Sequence, residues 1–262
     1  MTVFSELRKS LEEEHPVTVA TVIAGPGMLG AKLLVRDDGS TVGDLGRLTA
    51  EVIADARMQL AKEQAVTKSY SQPTGVFDIF IDVFPVKPRL VIIGATHTAI
   101  PLSRFAHELG YHVTVSDARA AFAVPERFPQ ADRVLKGWPQ DILPTLNLDE
   151  RSYVVLLSHD PKFDEPALEI VIPSSVPYIG AIGSRKTQRD RFARLRDNGF
   201  SEEQLARVYG PVGLDIGGTS VEETALAILA EITAVRRGRT AGFMKDRALP
   251  AKEVVSSSSA GG

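Results

Sequence analysis

The sequence of 262 residues, 44% hydrophobic and 24% charged with a formal charge of −3, has material for one large core or two modest ones. Its charge balance gives no support for nucleic-acid binding through a broadly basic surface. The absence of cysteine excludes disulfides, thiolate metal sites and a cysteine-persulfide role for the chain itself.

In chain order, MTVFSELRKSLEEEHP reads as a short amphipathic helix without the apolar core of a signal peptide. No later stretch reaches the ~18 apolar residues of a membrane span, so a soluble, cytoplasmic protein is expected. VTVATVIAG and MLGAKLLVR read as strands, and DDGS joins the second to a further short segment. Between Leu48 and Glu63, Val52, Ile53, Ala56 and Leu60 recur at helical spacing. VFDIFIDVF then alternates as a half-buried strand. Residues 1–84 thus read as a small α+β domain, with Pro85 and Pro88 marking the linker after it.

Residues 89–240 alternate strand and helix. Strands are expected at Leu90–Ile93, His112–Ser116, Arg133–Leu135, Tyr153–Ser158 and Tyr178–Ile182. Helices are expected at Ala99–Leu109, Gln140–Leu146, Glu165–Val171 and Lys186–Asn198. This alternation predicts an α/β fold, a Rossmann-like doubly wound parallel sheet with helices on both faces. Two further helices start at Ser201-Glu202-Glu203-Gln204 and Ser220-Val221-Glu222-Glu223, both with capping-box spacing. Residues 241–262, ending in SSSSAGG, read as a disordered tail.

The first strand of the second domain runs into Gly94-Ala95-Thr96-His97-Thr98-Ala99, an incomplete dinucleotide fingerprint. Its second glycine would let the backbone approach a pyrophosphate, and the β-branched Thr96 stands there instead. Asp117, 23 residues beyond Gly94, lies where an acid that reads a ribose is expected. Arg119 beside it would suit the 2′-phosphate of NADP, so NAD(P) stays open as a ligand, as does a turn that binds nothing. Ligands of doubly wound sheets lie beyond the carboxyl ends of the strands, at the switch point. Three polar groups fall at such ends: His97, then Ser158-His159-Asp160, then Gly183-Ser184-Arg185. Ser184 at a helix start, with Arg185, Lys186 and Arg189, could hold a phosphate or be a plain cap. Gly213 to Ser220, containing Asp215 and Gly217, forms a second glycine-rich loop that enters a helix. No spaced ligand cluster supports a metal site, and no nucleophile elbow or other catalytic arrangement appears.

Five blocks in order resemble the XdhC/CoxI family of xanthine dehydrogenase accessory factors. They are GATHTAIPLSRFAHELGYHVTVSDAR, FAVPERFPQAD, VVLLSHDPKFDEPAL, YIGAIGSRKTQRDRFARL and PVGLDIGGTSVEETALAILAEI, spread between Arg89 and Arg237. VTVATVIAG and LLVRDDGSTVG fit the family's smaller N-terminal domain. The resemblance implies an accessory protein, not a catalyst, that binds the molybdenum cofactor (molybdopterin). Such a protein protects the cofactor during sulfuration and delivers it to a molybdenum hydroxylase apoenzyme such as xanthine or carbon monoxide dehydrogenase. A separate cysteine desulfurase would supply the sulfur; a homodimer is compatible with the sequence. The resemblance further implies a cofactor site lined by Gly94, His97, Asp117, Arg119, His159, Asp160, Gly183, Ser184, Arg185, Asp215 and Gly217. There Ser184 and Arg185 would bind phosphate, and His97 and His159 the pterin or the metal's oxo groups. An NAD(P)-dependent oxidoreductase and a non-binding adaptor that docks the client enzyme are the alternatives. The chain departs from the family at Thr96, usually glycine, and at GDLGRLTAE, where many members are glycine-rich.

Overall fold

The computed structural model describes residues 2–246. It divides into two compact units, 1–87 and 88 onward.

In the first unit, helix α1 (Val3–Glu12) precedes strands β1 (Val17–Ala24), β2 (Lys32–Arg36) and β3 (Thr41–Gly43). Helix α2 (Thr49–Lys62) leads into β4 (Val66–Gln72) and β5 (Gly75–Phe84). The strands form an antiparallel sheet in the order β3-β2-β1-β5-β4. Val52 and Ala56 of α2 pack into a core with Ala20, Leu33, Ile79 and Ile81. Strand β4 was not expected from the sequence: VTKSYSQ is polar, and it pairs with β5 alone at the sheet edge. Edge strands carry little hydrophobic alternation because solvent faces much of them.

The second unit contains β6 (Arg89–Ile93), α3 (Ala99–Glu108), β7 (His112–Asp117), β8 (Arg133–Lys136) and α4 (Pro139–Ile142). It continues with β9 (Ser152–Leu156), α5 (Pro161–Val171), β10 (Tyr178–Ala181) and α6 (Arg185–Asp197). The last elements are α7 (Glu202–Leu205), β11 (Val208–Tyr209) and α8 (Val221–Arg236). All six strands are parallel, in the order β11-β10-β9-β6-β7-β8. Alternation along β6 sends Leu90 and Ile92 into a core with Leu102, Ala106, Ile228 and Leu229 of α3 and α8. Val91 and Ile93 face the opposite core with Ala167, Leu168, Leu195 and Leu205 of α5, α6 and α7. A sheet buried on both faces is what near-continuous apolar strands require.

The expected helix at Gln140–Leu146 divides into α4 and a 3-10 segment, Leu143–Leu146, because Pro144 has no amide to continue the α pattern. Helix α5 starts at Pro161 rather than Glu165. Asp160 caps it by accepting from the Lys162 amide, and Pro161 fits the first helical position. Both expected capping boxes form, at Ser201 and Ser220. Of the expected disordered tail, residues 241–246 include a 3-10 turn at Met244–Asp246; 247–262 lie outside the described residues. No helix among the described residues is long and apolar enough to cross a membrane.

Candidate site at the switch point

Strands β6 and β9 are neighbours, and the chain leaves their carboxyl ends toward opposite faces, α3 on one and α5 on the other. A small crevice of about 10 Å³ opens there, lined by Gly94, Ser116, Asp117, Gly137, Ser158 and Phe163.

After β6, Gly94 turns with φ +104°, and a Cβ on it would lie 2.7 Å from the Ser158 nitrogen and 2.9 Å from the Leu157 carbonyl carbon. The glycine is thus needed for close approach to the neighbouring strand end. The Gly94 amide donates to the Ser116 carbonyl at 2.7 Å and the Ala95 amide to Asp117 Oδ2 at 2.9 Å. His97 is exposed beside them.

After β7, Asp117 is buried and its carboxylate is fully engaged. Oδ1 accepts from the Arg119 amide and Nε, both at 2.9 Å, and Oδ2 accepts from Arg119 Nη2 at 2.8 Å as well as from Ala95. Burial pushes this carboxyl up, but the Arg119 donors and the two backbone amides outweigh it and hold its pKa below the ordinary value. The group left facing solvent is the Arg119 guanidinium, its side chain 38% exposed and stacked 4.1 Å over the Phe122 ring. Where an acid was expected to face a ribose, the surface presents a cation.

After β9, the Ser158 hydroxyl donates to Asp164, and its oxygen accepts from the Asp160 amide at 3.2 Å. His159 between them is exposed and left-handed, with φ +61°. Non-glycine residues seldom hold that conformation, and those that do concentrate at functional loops. Replacing His159 with glycine is expected to stabilise the protein by about 0.5–1 kcal/mol, as the Cβ penalty disappears. Urea unfolding measures this, and a net loss of stability would mean that the imidazole holds its own loop in place.

After β10, Gly183 has φ +140°, and a Cβ there would lie 2.9 Å from Thr187 Cγ2 in the first turn of α6. Ser184 caps that helix, accepting from the Thr187 amide at 3.1 Å. Arg185 and Lys186 stand exposed in the same turn. Asp160, Ser184 and their flanking residues are therefore placed at adjacent strand ends.

Of the anticipated site residues, Gly94 and Asp117 line the crevice itself. Asp215 lines a groove on the helical layer with Phe105 of α3, Leu109 just after it, and Leu226 and Leu229 of α8. That groove has a volume of about 970 Å³ and an apolar wall, and is separate in its lining from the crevice. Gly217 sits in an exposed irregular loop with φ +72°, and a Cβ there would meet nothing within 4 Å.

Sequence reasoning missed the support beneath the loops. Asp164 and Arg191, 0% and 3% exposed, pair at 2.7 Å. Arg191 also donates to Gln188 Oε1 at 2.6 Å and to the Ile182 carbonyl at 3.2 Å. Gln188 donates to the Ala181 carbonyl at 2.7 Å. Burial pushes the Asp164 carboxyl up, while Ser158 and Arg191 offset part of that rise. One buried network thus ties the ends of β9 and β10 to α5 and α6. Also missed was an aromatic pair, Trp138 stacked on Phe163 at 4.8 Å and 27°. Among the described residues no group of three or more His, Asp or Glu side chains is placed to hold a metal.

Six parallel strands in this order, wound on both faces, define a Rossmann domain with its ligand edge at the β6/β9 boundary. The chain belongs to the XdhC/CoxI family: residues 90–232 match the XdhC Rossmann domain and residues 10–71 the domain of the XdhC and CoxI family. It is 28% identical over 93% of its length to the uncharacterized protein YqeB of Escherichia coli, covering 48% of that protein. It is 30% identical over 61% of its length to a probable xanthine dehydrogenase subunit of Bacillus subtilis, covering 46% of it. Over 34% of its length it is 33% identical to the molybdenum cofactor insertion chaperone PaoD of Escherichia coli, covering 28% of that protein. The chain therefore spans half or less of the length of the curated relatives it matches. A crystal structure described as a xanthine dehydrogenase from Bacillus halodurans shares the fold, with TM-score 0.54 and 20% identity, covering 91% of this chain and 97% of that one.

Proposed function

We propose that this chain is a maturation factor for a molybdenum hydroxylase. It binds the molybdenum cofactor at the switch-point crevice, shields it during sulfuration and delivers it to an apoenzyme of the xanthine or carbon monoxide dehydrogenase type. The observation that carries this reading is the inverted charge after β7, where Asp117 is consumed internally and Arg119 faces outward. Molybdopterin offers acceptors: a phosphate and the oxygens on its metal. Arg119, His97, His159, Ser184 and Arg185 are all able to donate, and they lie at neighbouring strand ends. The donor set fits an anionic, oxygen-rich ligand better than a ribose diol, which favours a free carboxylate. The named roles of the B. subtilis and PaoD relatives support the same reading. With no cysteine in the chain, sulfur would come from a separate cysteine desulfurase. Release requires the client to lower the cofactor's affinity, hence a direct complex with differential binding.

Anaerobic calorimetry with the molybdenum cofactor, and in parallel with NADP(H) and NAD(H), tests this. Stoichiometric binding of the molybdenum cofactor is expected, weakened about ten-fold or more in His159→Ala and Arg185→Ala, the size of a lost charge-assisted hydrogen bond. Full retention in both variants would remove the crevice as the site. Tight binding of NAD(P) alone would replace the maturation factor with an oxidoreductase.

A further inference from the structure

Trp138 is the single tryptophan of the chain, and it stands 42% exposed two residues beyond the end of β8. Its neighbours Gly137 and Pro139 line the crevice, as does Phe163. Phe163 stacks on the indole at 4.8 Å and 27°, and part of the indole surface stays exposed. The backbone that carries the indole is also held. The Gly137 amide donates to the Asp117 carbonyl at 3.2 Å, and Pro139 restricts the backbone after it. A Cβ at Gly137 would lie 2.9 Å from Ile142 Cγ1 and Cδ1, so a larger residue there would have to displace that side chain. Two cations border the pair: Lys162 Nζ lies 5.1 Å and the Arg119 guanidinium carbon 5.6 Å from the Phe163 ring centre.

A large aromatic surface left exposed at a ligand-binding edge forgoes burial that a core would have supplied. Backed by Phe163, whose ring two cations approach, such an exposed indole is a stacking platform for a flat, electron-poor heterocycle. We infer that the exposed indole of Trp138, bordering the crevice through Gly137, Pro139 and its partner Phe163, stacks the planar nitrogen heterocycle of the crevice's ligand, with Arg119 placed for the ligand's anionic part. This rests on the reading that the crevice is a ligand site, and it deepens that reading by naming the subsite for the ring. Pterin and adenine share the chemistry, and the experiment separates them.

The lone tryptophan supplies the readout. The full-length protein is titrated with 6-hydroxymethylpterin, with AMP and with inorganic phosphate, and indole emission is corrected against N-acetyltryptophanamide in the same solutions. Saturable quenching by a ring compound and none by phosphate is expected; which ring saturates at lower concentration identifies the heterocycle. In calorimetry with the molybdenum cofactor, Trp138→Ala is expected to weaken binding about ten-fold, and Trp138→Phe less than about three-fold. Cofactor binding at wild-type affinity in Trp138→Ala, without quenching in the parent protein, would overturn the platform and leave the proposed function standing. Saturable quenching by a ring compound with no binding of the molybdenum cofactor would keep the platform and overturn the proposed function. No quenching and no cofactor binding would reject both.

Discussion

Arg191→Met is expected to lower the free energy of unfolding by about 3–5 kcal/mol, the usual cost of removing one partner from a buried ion pair. Asp164 is completely buried, and Arg191 is its only cationic partner within salt-bridge distance among the described residues. Without the guanidinium, the carboxylate must be protonated or remain unpaired in a low-dielectric interior. The Ile182 carbonyl and the Gln188 amide oxygen would lose donors at the same time. The double variant Asp164→Leu/Arg191→Met is expected to recover much of the loss, because an apolar pair of similar volume removes both charges together. Urea unfolding of the three proteins checks this. A single-variant loss below about 1 kcal/mol would show that water reaches the pair. The effect should extend to ligand binding, since Ser158 hangs from Asp164 and fixes the start of the His159 loop.

Gly94→Ala is expected to cost about 2–5 kcal/mol, from a left-handed backbone combined with a steric clash. The atoms in the way are backbone, Ser158 N at 2.7 Å and Leu157 C at 2.9 Å, so no side-chain rotation can relieve the contact. Adjustment would have to part β6 from the end of β9. Gly217→Ala is the control: it also has positive φ, +72°, but open space around it. There only the conformational penalty remains, about 1 kcal/mol. Thermal and urea denaturation distinguish the two positions, and equal losses would mean that the strand ends separate freely.

The sheet was legible because its strands are buried on both sides. Runs such as LVII and YVVLL leave little choice of structure, and Ser201 and Ser220 announce their helices by purely local hydrogen bonding. Strand β11 was not legible, since two residues carry no periodicity and its place is set by pairing with β10. In the site, Gly94 and Gly183 were readable as special positions, but not the reasons for them. One gives way to a neighbouring strand, the other to the first turn of its own helix. Asp117 could be located by its distance from Gly94, whereas its capture by Arg119 depends on side-chain geometry that spacing does not encode. Arg191 was hidden by its surroundings: RKTQRDRFARLRD is so rich in charge that the one buried arginine has no distinguishing mark. Trp138 carries no local signal either, because its stacked pair forms between residues 25 positions apart in sequence.

The clasp around Asp117 also constrains how this crevice could acquire a new specificity. Its side chain anchors the loop after β6 through Ala95, and its carbonyl anchors the loop after β8 through Gly137. Restoring the missing glycine at Thr96 would clear the approach for a pyrophosphate, yet the acid meant to read a ribose would remain bound to Arg119. Freeing that acid by changing Arg119 alone would leave a buried carboxylate short of donors, with Thr96 still obstructing the approach. Each step by itself is unrewarded, and only the pair reaches a dinucleotide site. The two positions are therefore epistatic, and a library varying them one at a time would pass over the switch.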